Sequence, residues 1–357
     1  MLKALRQGLC LSLCLAAHVE AASVVFLNPG HANEVFWVEY SQRMQAAARE
    51  LGMELRVEYS ERSAELILRQ ARAALHGPQQ PDYLVVVNEQ YMAPEVIRLS
   101  RGSKVKLFLV NNGLTQDQAR SVRAQPDKYP PVLGTLTAND EQAGYQVLRA
   151  MVAQLPSRDG PIDLVAFSGA KTTPVSQLRE QGMRRALADH PEVRLRQVVD
   201  GGWSRQRAYE QAQVLLERYP QVRLVWSASD EMAFGAMEAF QAAGRMPGRD
   251  VIFGTINASP EALKARIEGR LNVLMGGHLI LGGLAMVLLH DHALGLPLAQ
   301  DPLESAPAPV LQLIDADKAR EWLERQEDGG YRIDFRQFSA QGRPAGYRYP
   351  FLTSPVE

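Results

Sequence analysis

Residues 226–236 read Trp-Ser-Ala-Ser-Asp-Glu-Met-Ala-Phe-Gly-Ala, and this stretch decides the fold class. An apolar run ending at Trp226 gives way to small polar residues, and the acidic pair Asp230 and Glu231 then opens an amphipathic segment. Because the helix dipole stabilises acidic side chains in the first turn, the pattern predicts a buried strand that feeds a helix. The N-terminus of that helix would face a crevice at the end of the strand.

The same alternation continues along the chain. Short apolar runs without period-2 alternation are typical of parallel strands covered on both faces. We predict strands at residues 23–28, 54–59, 83–87, 106–110, 162–167, 194–199, 223–226, 251–255 and 272–276. Helical periods lie at residues 37–51, 63–75, 94–101, 141–154, 175–190, 205–219, 230–242, 260–269 and 279–294. This order predicts an α/β protein with two doubly wound parallel-sheet lobes.

Two segments interrupt the alternation. Residues 111–131 contain three prolines and are predicted to be a long loop near a domain crossover. Residues 309–315 form a possible last strand, followed by a helix at residues 316–324 and an irregular aromatic tail.

The first 21 residues have the composition of a secretory signal peptide. Lys3 and Arg6 precede an apolar stretch of ten residues, too short to span a bilayer, and a small-residue cleavage site follows at Ala21. Both cysteines, Cys10 and Cys14, lie inside this segment. The mature chain would therefore hold no disulfide, thiolate metal site or catalytic cysteine. We predict cleavage after Ala21 and a periplasmic location, the alternative being a buried N-terminal helix.

Charge and motifs narrow the function classes. The chain has 39 basic and 40 acidic residues and no basic cluster, which argues against a nucleic-acid partner. The sequence contains no nucleophile elbow, Gly-rich phosphate loop or metal-spaced histidine pair, so we predict no enzyme activity, no cofactor and no metal site. A glycosidase pair, Glu34 with Asp140 or Asp230, is the alternative. A transcriptional repressor is disfavoured, because it would need an N-terminal helix-turn-helix motif and the predicted signal peptide occupies that position.

The candidate site residues follow the predicted strands. Open α/β sheets bind ligands at the carboxyl ends of their strands, and nearly every strand here ends in an amide, an acid or an aromatic. Amides and carboxylates hydrogen-bond hydroxyl groups, and flat aromatics stack on a sugar ring. Asn and Asp are also common in loops and caps, so each position alone has an ordinary structural explanation. The candidates are Asn33, Glu34, Phe36, Trp37, Asn88, Asn111, Asn112, Asp140, Gln177, Arg179, Trp203, Ser229, Asp230, Asn257 and His278.

The strand, the small polar residues and Asp-Glu-Met-Ala-Phe-Gly-Ala together resemble the hallmark of the type I periplasmic binding proteins, which include the ribose- and galactose-binding proteins. The resemblance covers nearly the whole mature chain. It implies that Phe36, Trp37 and Trp203 sandwich the ligand, and that Gln177 or Arg179 supplies a ligand-binding side chain from a helix. It also implies ligand contacts from Asn33, Asn88, Ser229, Asp230 and Asn257.

Three departures from the family pattern leave the ligand and partner open. Asn111 and Asn112 stand where sugar-binding relatives usually have Asp-Arg, and residues 276–278 read Gly-Gly-His in place of the usual polar residue. The added C-terminal helix resembles the periplasmic autoinducer receptor and the trimethylamine-oxide sensor partners, which act through a membrane sensor kinase. The resemblance therefore implies either an ABC importer or a sensor kinase as partner.

We expect three units: the signal peptide at residues 1–21, an N-terminal lobe at residues 22–137 plus 278–308, and a C-terminal lobe and tail at residues 138–277 plus 309–357. The lobes should close about a hinge as rigid bodies. Because neutral amides dominate the candidates and no Arg/Lys phosphate cluster is visible, the expected ligand is a small neutral polyhydroxy compound such as a sugar or polyol. An amine-containing solute is the second choice, and we expect a monomer.

Overall fold

The computed structural model describes residues 21–155, 160–298, 303, 307–327, 333–344 and 346–354. The predicted signal peptide lies outside the described residues, apart from Ala21. Strands and helices alternate in the predicted order. Up to residue 137 the elements are β1 (Ser23–Asn28), α1 (Val35–Leu51), β2 (Glu54–Tyr59), α2 (Ala64–His76), β3 (Tyr83–Val86), α3 (Ala93–Leu99), β4 (Lys106–Asn111), α4 (Gln116–Arg123) and β5 (Gly134–Thr137).

The rest of the described chain continues the alternation. Its elements are α5 (Asp140–Ala153), β6 (Ile162–Ser168), α6 (Pro174–Ala188), β7 (Val193–Asp200), α7 (Arg205–Arg218), β8 (Leu224–Ser227), α8 (Asp230–Ala242), β9 (Ile252–Ile256), α9 (Pro260–Ile267), β10 (Val273–Gly276), α10 (Leu281–Ala293), β11 (Gln312–Ile314) and α11 (Ala316–Glu327). Short 3-10 helices cover Glu89–Tyr91, His278–Ile280, Phe335–Phe338 and Pro350–Leu352.

The strands form two separate sheets. The first has the order β2-β1-β3-β4-β5, and all its neighbouring strands run parallel. The second has the order β11-β10-β9-β8-β6-β7 and is parallel except for the antiparallel pair β10–β11. We call the first sheet with its helices the first lobe, and the second sheet with its helices the second lobe. The predicted fold class is confirmed.

The predicted loop at residues 111–131 is wrong in one respect, because it contains α4. Thr115 and Gln118 form a capping box at the start of this helix, in which Thr115 Oγ1 accepts from the Gln118 amide at 3.2 Å. Strand β5 follows α4 and pairs with β4, so the first sheet continues beyond this segment to Thr137. We did not predict β5, which contains only one large apolar residue, Leu136.

The chain passes between the sheets after β5, after β10 and before β11. Two of these passes are joined by hydrogen bonds: the Ala308 amide donates to the Thr137 carbonyl at 2.8 Å, and the Leu311 amide donates to Asn139 Oδ1 at 2.9 Å. Chain segments that run side by side between two lobes are typical of a hinge. The residue boundaries of the lobes stay a prediction.

Helix α10 returns from the second sheet and packs against α1 and the first sheet. It is buried around nearly its whole circumference from Leu281 to Leu289. Its 13 residues span about 20 Å. None of the helices in the described part of the chain is both long and apolar enough to cross a membrane.

The described tail packs on the first lobe, although we grouped residues 309–357 with the second. At the end of α10, the buried Asp291 carboxylate accepts hydrogen bonds from the Ser339 hydroxyl at 2.5 Å, the Ala340 amide at 2.6 Å and the Tyr349 hydroxyl at 3.0 Å. The Phe335 amide donates to Glu50 of α1 at 2.8 Å. The tail therefore begins beyond α11 of the second lobe and ends on α1 and α10.

Candidate functional site

A cavity opens between the lobes at the carboxyl ends of the strands, where open α/β sheets bind ligands. Its volume is about 730 Å³, counting space open to solvent, which is within the range of small-molecule sites. From the first lobe and the segment returning to it, the lining residues are Glu34, Val35, Phe36, Trp37, Glu39, Arg62, Glu89, Asn111, Asn112 and Leu279. From the second lobe they are Thr173, Val175, Arg179, Trp203, Ser229, Asp230, Glu231, Asn257 and Ser259.

Aromatic rings face the cavity from both lobes. Phe36 meets Trp37 edge-on with ring centroids 5.0 Å apart, and it stacks on His278 at 5.2 Å. Trp37 is buried and also packs against Tyr40, so part of its role is structural. Trp203 lines the cavity from the second lobe and is only half-buried. The predicted aromatic residues therefore lie on opposite walls, an arrangement that suits a flat apolar ring face between them.

In the second-lobe wall, Arg179 is held by four groups. Its guanidinium donates to Asp140 Oδ1 at 2.8 Å, to the Ala228 carbonyl at 2.7 Å, to Asn257 Oδ1 at 3.4 Å and to His278 Nε2 at 3.2 Å. Charge-assisted hydrogen bonds of this kind fix a side chain in one geometry. The arginine is therefore presented to the cavity in a preset orientation.

Two glycines make the Asp140–Arg179 pair possible. A Cβ atom at Gly144 of α5 would lie 2.0 Å from the Arg179 carbonyl oxygen, and one at Gly182 of α6 would lie 1.8 Å from the Glu141 carbonyl oxygen. Only glycine permits the two helices to approach this closely, since any side chain would collide with backbone. The close approach places the N-terminus of α5, which carries Asp140, beside Arg179.

The two groups behind Arg179 have shifted pKa values. Burial raises the pKa of Asp140, and the guanidinium of Arg179 opposes that shift. Burial, followed by the positive charges of Arg179 and Arg43, holds the pKa of His278 well below its ordinary value. His278 is therefore neutral at physiological pH and accepts through Nε2. Both residues act on the cavity through Arg179.

In the first-lobe wall, Arg62 bridges two carboxylates. It donates through Nε to Glu34 Oε2 at 3.1 Å and through Nη1 to Glu89 Oε1 at 2.9 Å. Burial disfavours the charge on Arg62, but the carboxylates of Glu89 and Glu34 more than offset this and raise its pKa. Burial also raises the pKa of Glu89, although Arg62 and Thr173 oppose the shift. This wall thus has one cation shared between two acids.

Asp230 lies at the floor of the cavity, at the start of α8. Its carboxylate accepts from Asn257 Nδ2 at 3.1 Å and from the Ser259 amide at 3.4 Å. Burial, followed by the charge of Asp230, raises the pKa of the neighbouring Glu231 to about 7. Asn257 has φ of 86°, a left-handed conformation in which Asn is several-fold enriched. The floor is therefore acidic and is joined to Arg179 through Asn257.

Three of the described residues that line the cavity each contain a buried polar atom without a partner. Within the described part of the chain, Glu89 Oε2, Asn112 Nδ2 and Ser229 Oγ have no hydrogen-bond partner. A buried polar atom without a partner costs free energy comparable to a lost hydrogen bond. These atoms are an acceptor, a donor and a hydroxyl, and each has almost no surface open to the cavity. Among the described residues, no cluster of three or more His, Cys, Asp and Glu side chains is arranged to hold a metal ion.

The structure brings most of the predicted site residues together. Those that line the cavity are Glu34, Phe36, Trp37, Asn111, Asn112, Arg179, Trp203, Ser229, Asp230 and Asn257. Their contact with a ligand stays a prediction.

The other five candidates lie elsewhere. Asn33 is in an exposed turn before α1, and Asp140 and His278 lie behind Arg179. Asn88 is fully buried and structural, because its amide donates to Gln118 Oε1 at 2.7 Å and its oxygen accepts from the Ala93 amide at 3.0 Å. Gln177 is exposed at the rim of the cavity.

The cavity also contains residues that we did not select. Arg62 and Glu89 are the most important, and Glu39, Thr173, Glu231 and Ser259 also line it. Arg62 follows the end of β2 by three residues, so the rule used for the other strands would have found it. Glu89 adjoins the predicted Asn88 and could have been found in the same way. Nothing in the sequence distinguishes Thr173 or Glu39 from ordinary helix residues.

Residues 24–295 match the family described as a periplasmic binding protein domain. A solved structure of a periplasmic sugar-binding protein from Pseudomonas fluorescens is 51% identical, with 92% of this chain and 98% of that chain covered and a TM-score of 0.84.

Two curated proteins are more distant. The ribose import binding protein of Salmonella typhimurium is 25% identical over 279 residues, which covers 76% of this chain and 84% of that protein. The galactofuranose-binding protein of Escherichia coli is 24% identical over 141 residues, and that match spans 39% of this chain and 44% of that protein.

The family match covers more than half of the chain, and the solved structure is similar over nearly its full length. These findings confirm that the chain is a binding protein and not an enzyme. The chain belongs to the periplasmic binding protein family.

Proposed function

We propose that this chain is a periplasmic solute receptor that closes its two lobes over a small, neutral polyhydroxy ligand, a sugar or a polyol, and presents the closed form to a membrane partner. The observation that carries the proposal is the lining of the cavity: Phe36 and Trp203 line it from opposite lobes, and the neutral amides Asn111, Asn112 and Asn257 line the same cavity. Flat aromatic rings stack on the C–H faces of a sugar ring, and amide side chains hydrogen-bond its hydroxyl groups.

The charges of the wall support a neutral ligand. Arg62 is already shared by Glu34 and Glu89, and Arg179 is already engaged by Asp140. A strongly anionic ligand would need a cation without a partner and would meet Asp230 and Glu231 at the cavity floor. An amine-containing solute is the second choice, because carboxylates beside aromatic rings also favour a cation.

The relatives point in the same direction. The structure from Pseudomonas fluorescens is described as a sugar-binding protein, and the curated relatives bind ribose and galactofuranose. We propose an ABC importer as the partner, because the ribose relative serves import. A sensor kinase is the alternative, and its support is the added C-terminal part, α11 and the tail. A permease and an ATPase encoded beside this gene would favour the importer, and a kinase or cyclase would favour the sensor.

A thermal-shift screen of the purified mature protein tests the ligand class. The panel would contain ribose, arabinose, galactose, allose and myo-inositol, with trimethylamine oxide, a sugar phosphate and a dicarboxylate as other arms. We expect a rise in melting temperature with at least one neutral sugar or polyol. Tight binding of the phosphate or the dicarboxylate, with no neutral ligand found, would overturn the proposal.

Calorimetry with the ligand found in this screen tests the site. Trp203→Ala should weaken binding roughly 100-fold, because losing a buried stacking aromatic costs a few kcal/mol. Tyr219→Ala is the matched control, since Tyr219 is a half-buried aromatic of the second lobe outside the cavity. Normal binding by Trp203→Ala and by Trp37→Ala would mean that the pocket is wrongly assigned.

Export and closure have separate tests. Mass spectrometry of the exported protein should show a start at or near Ala22, and a cytoplasmic product that keeps Met1 would contradict export.

Small-angle scattering should show a monomer whose radius of gyration falls when the ligand is added, because a ligand that contacts both lobes favours the closed state. An unchanged radius at saturation would count against closure.

A further inference from the structure

Hydrogen bonds join the two lobes in two layers. The inner layer lies in the cavity wall, where Thr173 Oγ1 donates to Glu89 Oε1 at 3.0 Å and the Val175 amide donates to Asn112 Oδ1 at 2.9 Å. The outer layer lies at the rim and centres on Tyr91 of the first lobe. Its hydroxyl accepts from Gln177 Nε2 at 2.5 Å and donates to the Lys171 carbonyl at 3.2 Å.

The backbone around Tyr91 is held in an uncommon conformation. Gln90 and Tyr91 have φ of 50° and 59°, two consecutive left-handed residues without a glycine. Such conformations persist only when the surroundings impose them, and they cluster at functional sites. Two amide side chains impose this one: Gln90 Nε2 donates to the Arg62 carbonyl, and Gln118 Nε2 donates to the Tyr91 carbonyl at 3.0 Å.

The support for Tyr91 extends into the first lobe. Gln118 is the residue that completes the capping box of α4, and its Oε1 accepts from the buried Asn88 at 2.7 Å. Asn88 and Gln118 therefore hold the segment that carries Tyr91. This explains why Asn88 contributes to the site without lining the cavity.

Gln177 lies on the opposite lobe in the first turns of α6. Its amide also donates to the Lys171 carbonyl at 2.9 Å. Three hydrogen bonds therefore join each of Tyr91, Gln177 and Lys171 to the other two. The residues described as lining the cavity include neither Tyr91 nor Gln177. Their bonds span the lobes without depending on what occupies the cavity.

We propose that Tyr91 and Gln177 form a rim clasp that stabilises the closed state before any ligand binds. Tyr91 is in this sense a positioning residue: it acts on ligand binding through closure. The inference rests on the proposed function in one respect, namely that the protein works by closing its lobes. A clasp of this kind raises apparent affinity for every ligand equally, because the binding-competent fraction rises while the cavity contacts stay the same.

The Val175 amide offers a ligand-free measure of closure. Val175 is the second residue of α6, so its N–H has no partner within the helix, and its hydrogen bond goes to Asn112 of the other lobe. Opening of the lobes exposes this amide to solvent. Its hydrogen exchange rate therefore reports the fraction of time that the protein is open.

The experiment compares Tyr91→Phe with the wild-type full-length mature protein, without any added sugar. We expect the Val175 amide to exchange roughly four- to 100-fold faster in the variant, because the change removes both hydrogen bonds of the Tyr91 hydroxyl and each net hydrogen bond supplies a factor of roughly two to ten. The radius of gyration from small-angle scattering should rise, and the unfolding midpoint should change little. Tyr145→Phe is the matched control, because it removes a tyrosine hydroxyl bonded to Asp189 at 2.9 Å on the surface of the second lobe alone.

Gln177→Leu removes one of these two interlobe bonds from the other lobe and leaves the bond from Tyr91 to the Lys171 carbonyl. The double variant should exchange no faster than Tyr91→Phe alone, because Tyr91→Phe already lacks the bond to Gln177. The clasp would be overturned if the Val175 amide exchanged at the wild-type rate in both single variants. It would also be overturned if Tyr145→Phe accelerated this exchange as much as Tyr91→Phe does.

These outcomes are independent of the ligand screen. Faster exchange in Tyr91→Phe supports the clasp even when every sugar in the screen fails, whereas sugar binding with unchanged exchange refutes the clasp and leaves the proposed function intact.

Discussion

The two walls of the cavity each contain a buried arginine, and the two arginines are held in different ways. Arg179 of the second lobe has four partners, of which one is a carboxylate, and all lie behind or beside it. Arg62 of the first lobe has two carboxylate partners, Glu34 and Glu89, and both of these also line the cavity. The second-lobe wall is therefore fixed mainly by groups outside the cavity, with Asn257 the partner that also lines it, and the first-lobe wall is fixed by its own lining.

This difference indicates a division of roles. A preorganised donor loses little freedom when a ligand arrives, so Arg179 suits a fixed contact. In the first-lobe wall, a ligand hydroxyl near Glu89 would either replace Arg62 as a partner of the Glu89 carboxylate or add a further hydrogen bond to it. The hydrogen bonds of this wall would therefore change with the ligand. Substitutions in the two walls should separate these roles.

The largest effect is expected from Arg179→Ala. It leaves Asp140, which is 3% exposed, as a buried carboxylate without its cation, and breaking such a pair costs about 3–5 kcal/mol of the free energy of unfolding. Urea denaturation measures the loss. Arg185→Ala is the control, because it removes an exposed arginine of the same helix that bonds Glu141 and should cost at most about 1 kcal/mol. Equal losses in the two variants would show that the second-lobe wall is not locked through Arg179.

A smaller loss, of about 1–3 kcal/mol at neutral pH, is expected from Arg62→Met, because Glu89 then remains buried with only Thr173 as partner. The pKa of Glu89 is already raised by burial, and removal of Arg62 should raise it further. Below that pKa the carboxyl is neutral, so the loss should shrink as the pH falls. Denaturation at several pH values tests this against Arg98→Met, whose exposed pair with Glu95 lies outside the cavity. A loss independent of pH would contradict the role assigned to Glu89.

Thr173→Val should weaken the contact between the walls by about 0.5–1.5 kcal/mol, the net value of one hydrogen bond, because it removes the donor to Glu89 with little change in shape. The predicted result is a larger radius of gyration without ligand. Thr173→Ser keeps the hydroxyl and serves as the control. If both variants scatter like the wild type, the inner contact does not hold the walls together.

The smallest effect concerns pH and Glu231. The folded-state pKa of about 7 exceeds the ordinary 4.5, chiefly because of burial and then Asp230, so the folded protein binds this proton more tightly than the unfolded chain. The free energy of unfolding should therefore fall as pH rises from 4.5 through about 7, with the full stability present below 4.5. Glu231→Gln should flatten this part of the profile, and Glu210→Gln on exposed α7 should not. If the stability of Glu231→Gln depended on pH in the same way as that of the wild type, another group would be responsible for this part of the profile.

Elements with strong local signals were predictable from the sequence. Strands β1 and β2 and helix α8 have the predicted bounds, because apolar runs and an acidic helix start define them locally. Strand β5 was missed because Gly134, Thr135 and Thr137 surround a single large apolar residue. Helix α4 was missed because prolines follow it, although its capping box was readable as Thr115 with Gln118.

The site was only partly predictable, for a physical reason. An asparagine at a strand end has the same donor and acceptor whether it faces a ligand or satisfies backbone groups, as Asn88 and Asn111 illustrate. The partners distinguish the two uses, and Asn88 has its partners because α3 and α4 pack around it. Arg179 was identified, but its partner Asp140 depends on the close helix crossing at Gly144 and Gly182, which no local pattern reveals.

The anchoring of the tail at Asp291 limits how this protein can be shortened. The family match ends at residue 295, so trimming to that boundary would remove β11, α11 and the tail. The Asp291 carboxylate, which is 0% exposed, would then lose the donors Ser339, Ala340 and Tyr349, and the surface of α1 and α10 beneath Phe335 would open to water. A fragment cut at the family boundary should therefore aggregate or be degraded, even though it keeps nearly every residue of the ligand site.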